Sequence, residues 1–448
     1  MPFFERLFKT SLLFLLGNLL ILFGFFISLP TVANLLISLA LIGFFLWFNL
    51  RPRSAKISDR RLRLMIGGYD LMVTAGLCLF FQILWYLYLL FFHSGLPDLI
   101  PTLLANLLFF LPVVFILMIN GFFRMLFTSV QIGIVLRIAV LFLWWLPLVN
   151  LILIRKVCKT VRLEYWTETA KLELNKTRQE LEICKTKYPI VLVHGIFFRD
   201  WQLFNYWGRI PKELLRNGAR VYYGGQQSAA AVADSAAELK ENILRLVRTT
   251  GCEKVNIIAH SKGGLDSRYA ISKLGLSPYV ASLTTVNTPH RGVIFGEILL
   301  EKLPAFGVRW LEKRYNAVFH TLGDKDPDFL AGVTDLTASR CAAMNEDVPD
   351  VPGVYYQSVM SVMTRPSSAG FPLNFTYRLV KKYDKEPNDG LVALSSAPWG
   401  RYLGKITVKG RRGISHGDMI DLTRENIPGF DVREFYVRLV KDLRENGY

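Results

Sequence analysis

Among the side chains able to act as nucleophiles, one serine is set apart by its surroundings. Ser261 lies in KVNIIAHSKGG (residues 254–264), where an apolar, β-branched run of the buried-strand type stops at the serine and helix-compatible sequence begins. A serine on a tight strand-to-helix turn exposes its hydroxyl, and such a turn needs small residues two positions before and after so that neighbouring backbones can pass. Gly263 meets that need on one side. On the other, Ala259 stands where the general pattern has glycine, one methyl larger. The string alone is short enough to arise by chance, and its placement between strand and helix is what gives it weight.

A serine hydroxyl attacks poorly unless a base removes its proton, and imidazole is the side chain suited to that task near neutral pH. The chain has six histidines. His93 lies in the apolar half, His194 precedes the serine, and His260, its immediate neighbour, is expected to point elsewhere. His290 and His320 fall before any acid of a sixth strand, which leaves His416 in ISHGDMIDL. The base needs a carboxylate to fix its tautomer. Asp389 in EPNDGLV suits this place, because Pro387, Asn388 and Gly390 form a turn able to hold a short acid rigidly. Asp384 and Glu386 are nearby rivals. Backbone donors for a developing oxyanion are expected at Lys262, just after the serine, and at Ile196, which follows the strand-like VLVHG.

The combination VLVHG, AHSKGG, TPHRG, NDGLV and SHGDMIDL, in this order, resembles the bacterial triacylglycerol lipases of the α/β-hydrolase superfamily. The resemblance covers residues 188–448. It implies Ser261 as nucleophile, Asp389 and His416 as its partners, and Ile196 and Lys262 as oxyanion donors. Many members of that group bind a structural calcium through an aspartate two residues after the histidine. Asp418 matches that position, but Leu422 stands where some members have an oxygen ligand, and a second aspartate is not found. No cofactor and no metal is therefore expected, and Asp418 is assigned a weaker role, holding His416 through a cation or a hydrogen bond.

The elements that must position these residues are legible in outline. Short β-branched or aromatic runs at 190–194, 220–223, 255–259, 282–286, 354–359 and 405–408 alternate with helix-like stretches such as 229–247 and 432–445. Strands alternating with helices imply a mainly parallel sheet covered on both faces, the α/β-hydrolase class. Residues 1–154 read differently. Five apolar segments, at 11–27, 32–50, 64–92, 100–119 and 130–154, reach or approach the roughly 20 residues a bilayer-spanning helix needs. Arg137 makes the fifth the least regular of them. Residues 155–187 form a charged helical linker, so the expected organisation is a multi-span domain (1–154), a linker (155–187) and a hydrolase domain (188–448).

A formal charge of +17 raises the question of nucleic acid, but the basic residues form no stripe interleaved with aromatics and no nucleic-acid motif is present. Anionic lipid headgroups are the expected counterpart. The five cysteines are scattered, without a CxxC pair, and indicate neither a disulfide framework nor a zinc site. Phe197, Phe198, Trp201, Phe204, Tyr206 and Trp207 cluster beside the expected oxyanion loop and suit either an acyl pocket or ordinary core packing. The insertion between Phe295 and Pro349 suits a lid or a surface helix pair. The expected activity is hydrolysis of lipid carboxylic esters through an acyl-enzyme; an acyltransferase on the same residues and a non-catalytic lipid-binding scaffold are the alternatives. For orientation, the basic residues between the second and third spans favour the cytoplasm. Five spans would then place the hydrolase outside, with nine of the weighed basic residues inside and four outside, and this external, extracytoplasmic side is the expected one; four spans would place it inside.

Overall fold

A computed structural model describes residues 1–52, 59–143, 145–196, 205–294, 296–298, 304–321, 327–410 and 412–448. The chain divides into two compact units, Met1–Leu172 and Glu173–Tyr448.

The second unit is built on six parallel strands: β1 (Ile190–Val193), β2 (Val221–Tyr223), β3 (Val255–His260), β4 (Val280–Val286), β5 (Tyr355–Ser361) and β6 (Arg401–Ile406), in the order β2-β1-β3-β4-β5-β6. This is the α/β-hydrolase arrangement expected from the sequence; five strands fall where expected, and the sixth begins four residues earlier than the expected 405–408. Successive strand residues point to opposite faces, and in β1 both sets are apolar. Ile190 and Leu192 join a core with Ile210 and Leu214 of α7 (Ile210–Arg216) and Tyr436, Val437 and Val440 of α14 (Val432–Glu445). Val191 and Val193 join another core, with Leu239 and Ile243 of α8 (Val232–Thr250) and Ala270 and Ile271 of α9 (Lys262–Ser272). Burial on both faces is why these strands read as unbroken apolar runs rather than alternating ones. Between β4 and β5 the described part of the long insertion forms α10 (Ala305–Thr321), α11 (Phe329–Thr334) and α12 (Ala338–Asp347), and α13 (Leu373–Tyr383) lies between β5 and β6.

The first unit is helical. Three helices, α2 (Thr31–Leu50), α3 (Arg60–Phe92) and α4 (Leu99–Thr128), are long and apolar enough to cross a membrane. The pair formed by α1 (Phe3–Gly17) and the segment Leu19–Phe26, bent by 61°, would make a fourth. α3 and α4 approach closely where a Cβ on Gly68 would lie 2.6 Å from the Gly121 carbonyl and one on Gly121 2.7 Å from the Gly68 carbonyl, so both positions need glycine. The fifth apolar segment differs from expectation. Its described residues form a nine-residue helix, α5 (Ile134–Phe142), and the first turns of α6 (Pro147–Arg178). Ahead of α5 the chain is not helical, and the Arg137 guanidinium takes the freed carbonyls of Leu126, Ser129 and Ile132. At the other end Pro147, with no amide hydrogen, begins a new helix.

Candidate active site

Ser261 occupies the single position between the end of β3 and the start of α9, with φ 55° and ψ −132°, a conformation unfavourable for any residue with a Cβ. The turn is held by its amide, which donates to the Val286 carbonyl (3.0 Å), and by its carbonyl, which accepts from Gly264 (3.1 Å). The need for small neighbours is physical. A Cβ on Gly263 would lie 2.3 Å from the His194 carbonyl, and one on Gly195 2.7 Å from Cβ of Ser261. Ala259, the departure from the general pattern, packs its methyl into the apolar core under α8 and α9.

The end of β1 brings Ile196 to the same place. His194 Nε2 meets the Gln226 carbonyl at 3.0 Å and Gln226 donates back to the His194 carbonyl at 2.9 Å, fixing the strand end. The Gly195 amide donates to the Tyr206 hydroxyl (3.0 Å), which in turn meets His260 Nδ1 at 2.7 Å. The Lys262 amide is the first of α9 and has no helical carbonyl one turn behind it. The Lys262 side chain is buried and bonds Asp266 (2.7 Å) and Ser235 (2.9 Å). Burial pushes the Asp266 carboxyl up to about 7, against the opposing pull of Lys262.

Asp389 and His416 meet directly, with His416 Nδ1 2.6 Å from Asp389 Oδ2. Asp389 is fully buried and its carboxylate accepts three further hydrogen bonds: Oδ1 from the amides of Leu391 (2.9 Å) and Val392 (2.8 Å), Oδ2 from Asn287 Nδ2 (2.7 Å). The Asp389 carbonyl also accepts from the His416 amide at 2.8 Å, so the two loops are joined through backbone as well. Asp384 and Glu386, the rival acids, lie in an exposed stretch after α13. The His416 ring sits 4.4 Å, centroid to centroid, from that of His260, the residue before Ser261. Burial, and then the neighbouring His416, hold His260 well below the usual histidine range, so it is neutral.

Two residues of this assembly were not assigned from sequence. His260 was expected to point elsewhere, yet it packs against His416 and links it through Tyr206 to the β1 end. Asn287, buried at the end of β4 with φ 52°, bridges Asp389 and Ser361: its Nδ2 donates to Ser361 Oγ at 2.7 Å and its Oδ1 accepts from the Ser361 amide at 2.8 Å. The signal was present in TVNTPHRG, since asparagine tolerates positive φ better than most residues. Of the aromatic cluster, Tyr206 and Trp207 are buried core residues, while Phe197, Phe198, Trp201 and Phe204 lie outside the described residues.

The surroundings of Asp418 do not fit a divalent cation. Its Oδ2 accepts from Arg412 (2.8 Å) and from the Ser415 amide (2.8 Å), and its Oδ1 accepts from Arg412 (3.2 Å). A guanidinium already supplies the positive charge, and among the described residues no three His, Cys, Asp or Glu side chains converge as metal ligands.

No established family profile matches the chain. Over 177 residues it is 34% identical to the triacylglycerol lipase of Pseudarthrobacter phenanthrenivorans, covering 37% of this chain and 54% of that protein. The match to the Burkholderia plantarii triacylglycerol lipase is also 34% over 177 residues, covering 37% of this chain and 49% of the other. The chain thus spans about half the length of these two relatives. Solved structures similar to it include the Staphylococcus hyicus lipase (18% identity, TM-score 0.46, 58% of this chain and 97% of the other) and the mature Bacillus licheniformis lipase BlEst2 (21%, 0.43, 57% and 92%). With the triacylglycerol lipase of Vibrio cholerae serotype O1 the match extends over 245 residues at 31% identity, half of this chain and 76% of the other, and by this relation the chain belongs to the triacylglycerol lipase family.

Proposed function

We propose that the chain is a membrane-anchored serine hydrolase that cleaves carboxylic esters of lipids. The observation that carries this reading is the 2.6 Å contact between His416 and a fully buried Asp389, beside a serine held at φ 55° between strand and helix. Ser261 Oγ attacks the ester carbonyl while His416 Nε2 takes its proton, and Asp389 stabilises the imidazolium that results. The amides of Lys262 and Ile196 hold the oxyanion. Collapse of the tetrahedral species returns the proton to the leaving alcohol and leaves an acyl-serine, which water, activated by the same imidazole, cleaves to the free acid.

The reading includes an orientation. Within the first unit, Arg6 near the start of α1 pairs with Asp70, Lys9 donates to the Pro52 carbonyl after α2, Arg124 near the end of α4 donates to Asn49 and Leu50, and Arg61 at the start of α3 reaches both Thr128 and Glu164. These contacts gather the basic chain ends at one end of the bundle, which supports four crossings rather than five. The positive-inside tendency then favours the cytoplasm for that end and for the hydrolase that follows, instead of the external side that five spans would imply.

One experiment tests both parts. A membrane-permeant fluorophosphonate is expected to label Ser261 in intact cells, and an impermeant one only after permeabilisation. Ser261→Ala should abolish labelling and ester hydrolysis. Hydrolysis that survives in Ser261→Ala overturns the mechanism, whereas labelling of intact cells by the impermeant probe overturns only the orientation.

A further inference from the structure

The surface beside the Asp389 and His416 loops combines two features that soluble surfaces rarely place together. Phe371 is 85% exposed and Phe375 56% exposed. Between them Leu373 touches both loops: a Cβ on Gly390 would lie 3.1 Å from Leu373 Cβ, beside Met363, and one on Gly417 3.8 Å from Leu373 Cδ1, beside Leu422. α13 buries Thr376, Tyr377 and Val380, and at helical spacing Phe375, Arg378 and Lys382 fall on its outward face. One helical turn on from Phe375 is a surface concavity of about 510 Å³ lined by Arg365, Arg378, Lys381, Lys382 and Tyr377 among others. All four cations are exposed, and among the described residues none is paired with a carboxylate. The nearest acids in sequence, Asp384 and Glu386, follow the helix and lie outside the concavity.

We infer that this face docks on the headgroups of an anionic phospholipid bilayer. Uncompensated cations in a concavity suit phosphodiester oxygens, and amphipathic or aromatic side chains beside them suit the boundary between headgroup and acyl chain. Phe371 and Phe375 enter that boundary while Arg365, Arg378, Lys381 and Lys382 hold phosphates. Because Leu373 joins the patch to the loops carrying Asp389 and His416, docking turns the site toward the lipid phase. This use of the patch rests on the proposed hydrolase reading; the docking itself does not.

The test uses the full-length chain in nanodiscs of phosphatidylcholine alone or with one third phosphatidylglycerol, carrying bimane on F375C. The unsubstituted chain, labelled in parallel, supplies the background from native cysteines. Bimane emission should shift to the blue only with phosphatidylglycerol, and the shift should vanish in R378A/K381A/K382A and at high salt. Each cation near an anionic surface contributes about fivefold in binding. The triple variant should therefore lose at least about tenfold in hydrolysis of a lipid ester in anionic discs, while a soluble short-chain ester is hydrolysed at the unchanged rate. Equal emission in the two lipids, or the same shift produced by soluble glycerol phosphate, overturns the bilayer assignment. A lipid-dependent shift with no ester hydrolysis at all would keep the docking surface and discard the hydrolase.

Discussion

Replacing Asp389 by asparagine separates two roles that a buried acid performs at once. Its Oδ1 accepts two backbone amides fixed in the turn, those of Leu391 and Val392, so the carbonyl oxygen of the new amide stays there. The NH2 group then occupies the Oδ2 position, facing Asn287 Nδ2 and His416 Nδ1. Opposite His416 it donates, which forces Nδ1 to accept and moves the ring proton to Nε2, the nitrogen that takes the serine proton in the proposed mechanism. By the precedent of a serine protease triad, turnover falls by up to about 10⁴-fold. Opposite Asn287 it sets two buried donors against each other 2.7 Å apart, and turning Asn287 over would instead break its bond from the Ser361 amide. Either outcome leaves one buried donor unsatisfied, a cost of about 1–3 kcal/mol. Adding Asn287→Asp gives the new amide an acceptor again, and aspartate also tolerates the positive φ at this position. D389N/N287D is therefore expected to recover the melting temperature lost in D389N while remaining as inactive, because the tautomer is still wrong. The assay is kcat/KM on a soluble ester beside thermal melting of the same preparations. Recovery of activity together with stability, or near-normal activity in D389N alone, would refute the reasoning.

Two further outcomes follow from the same contacts. Arg412→Ala leaves Asp418 buried without its cation and should cost about 1–3 kcal/mol, lowering kcat more than it changes KM, while exhaustive chelation of the unsubstituted protein should change neither melting nor rate; a loss on chelation would show that a metal and not Arg412 holds the loop. The pH dependence of stability has opposing contributions. His260 and His290 are both buried and held well below the usual histidine range, chiefly by burial, so the unfolded chain binds protons that the folded one does not, and stability is lost as pH falls below about 6.5. Asp266, raised to about 7, has the reverse sign: its contribution is present at low pH and is lost as pH rises through about 7. Asp266→Asn should therefore make the fall in melting temperature between pH 7 and 5.5 steeper, and an unchanged slope would contradict the sign assigned to Asp266.

The legible part of this molecule is what a short stretch of chain can encode. Unbroken apolar runs announced strands covered on both faces, and the abrupt end of one run at Ser261 announced the turn on which it sits. Asn287 was not legible as a partner of Asp389 because 102 residues separate them, and they meet only where the connection between β5 and β6 folds back to the end of β4. Arg412 escaped for a related reason: its pairing with Asp418 supplies the positive charge there, and nothing in the letters distinguishes a guanidinium folded back on its own loop from one left in solvent. The segment at 130–154 had the length and apolarity of a span, yet a single arginine finding carbonyl partners, with a proline beyond it, divides it. Composition over a window cannot register that competition.

Sheet topology explains why the assembled residues meet where they do. From β1 the chain winds outward in one direction to β2, then returns to β3 and continues the other way through β4, β5 and β6. The connections leaving β1 and β3 therefore diverge and open a crevice at the carboxyl ends of these adjacent strands, the usual ligand position in open parallel sheets. Ile196 follows β1 and Ser261 follows β3, so both border the crevice from its two sides. The remaining contributors arrive in strand order beyond it: Asn287 at the end of β4, Ser361 at the end of β5, and His416 after β6. Asp389, in the connection between β5 and β6, meets Asn287 at the end of β4, and the turn amides of Leu391 and Val392 hold its other carboxylate oxygen. The rigidity required of that acid thus comes from β4, the strand next to the one that ends at Ser261. His416 and Ser261, the proposed base and nucleophile, are consequently referenced to adjacent strands of one sheet, although the chain between them contains the whole insertion.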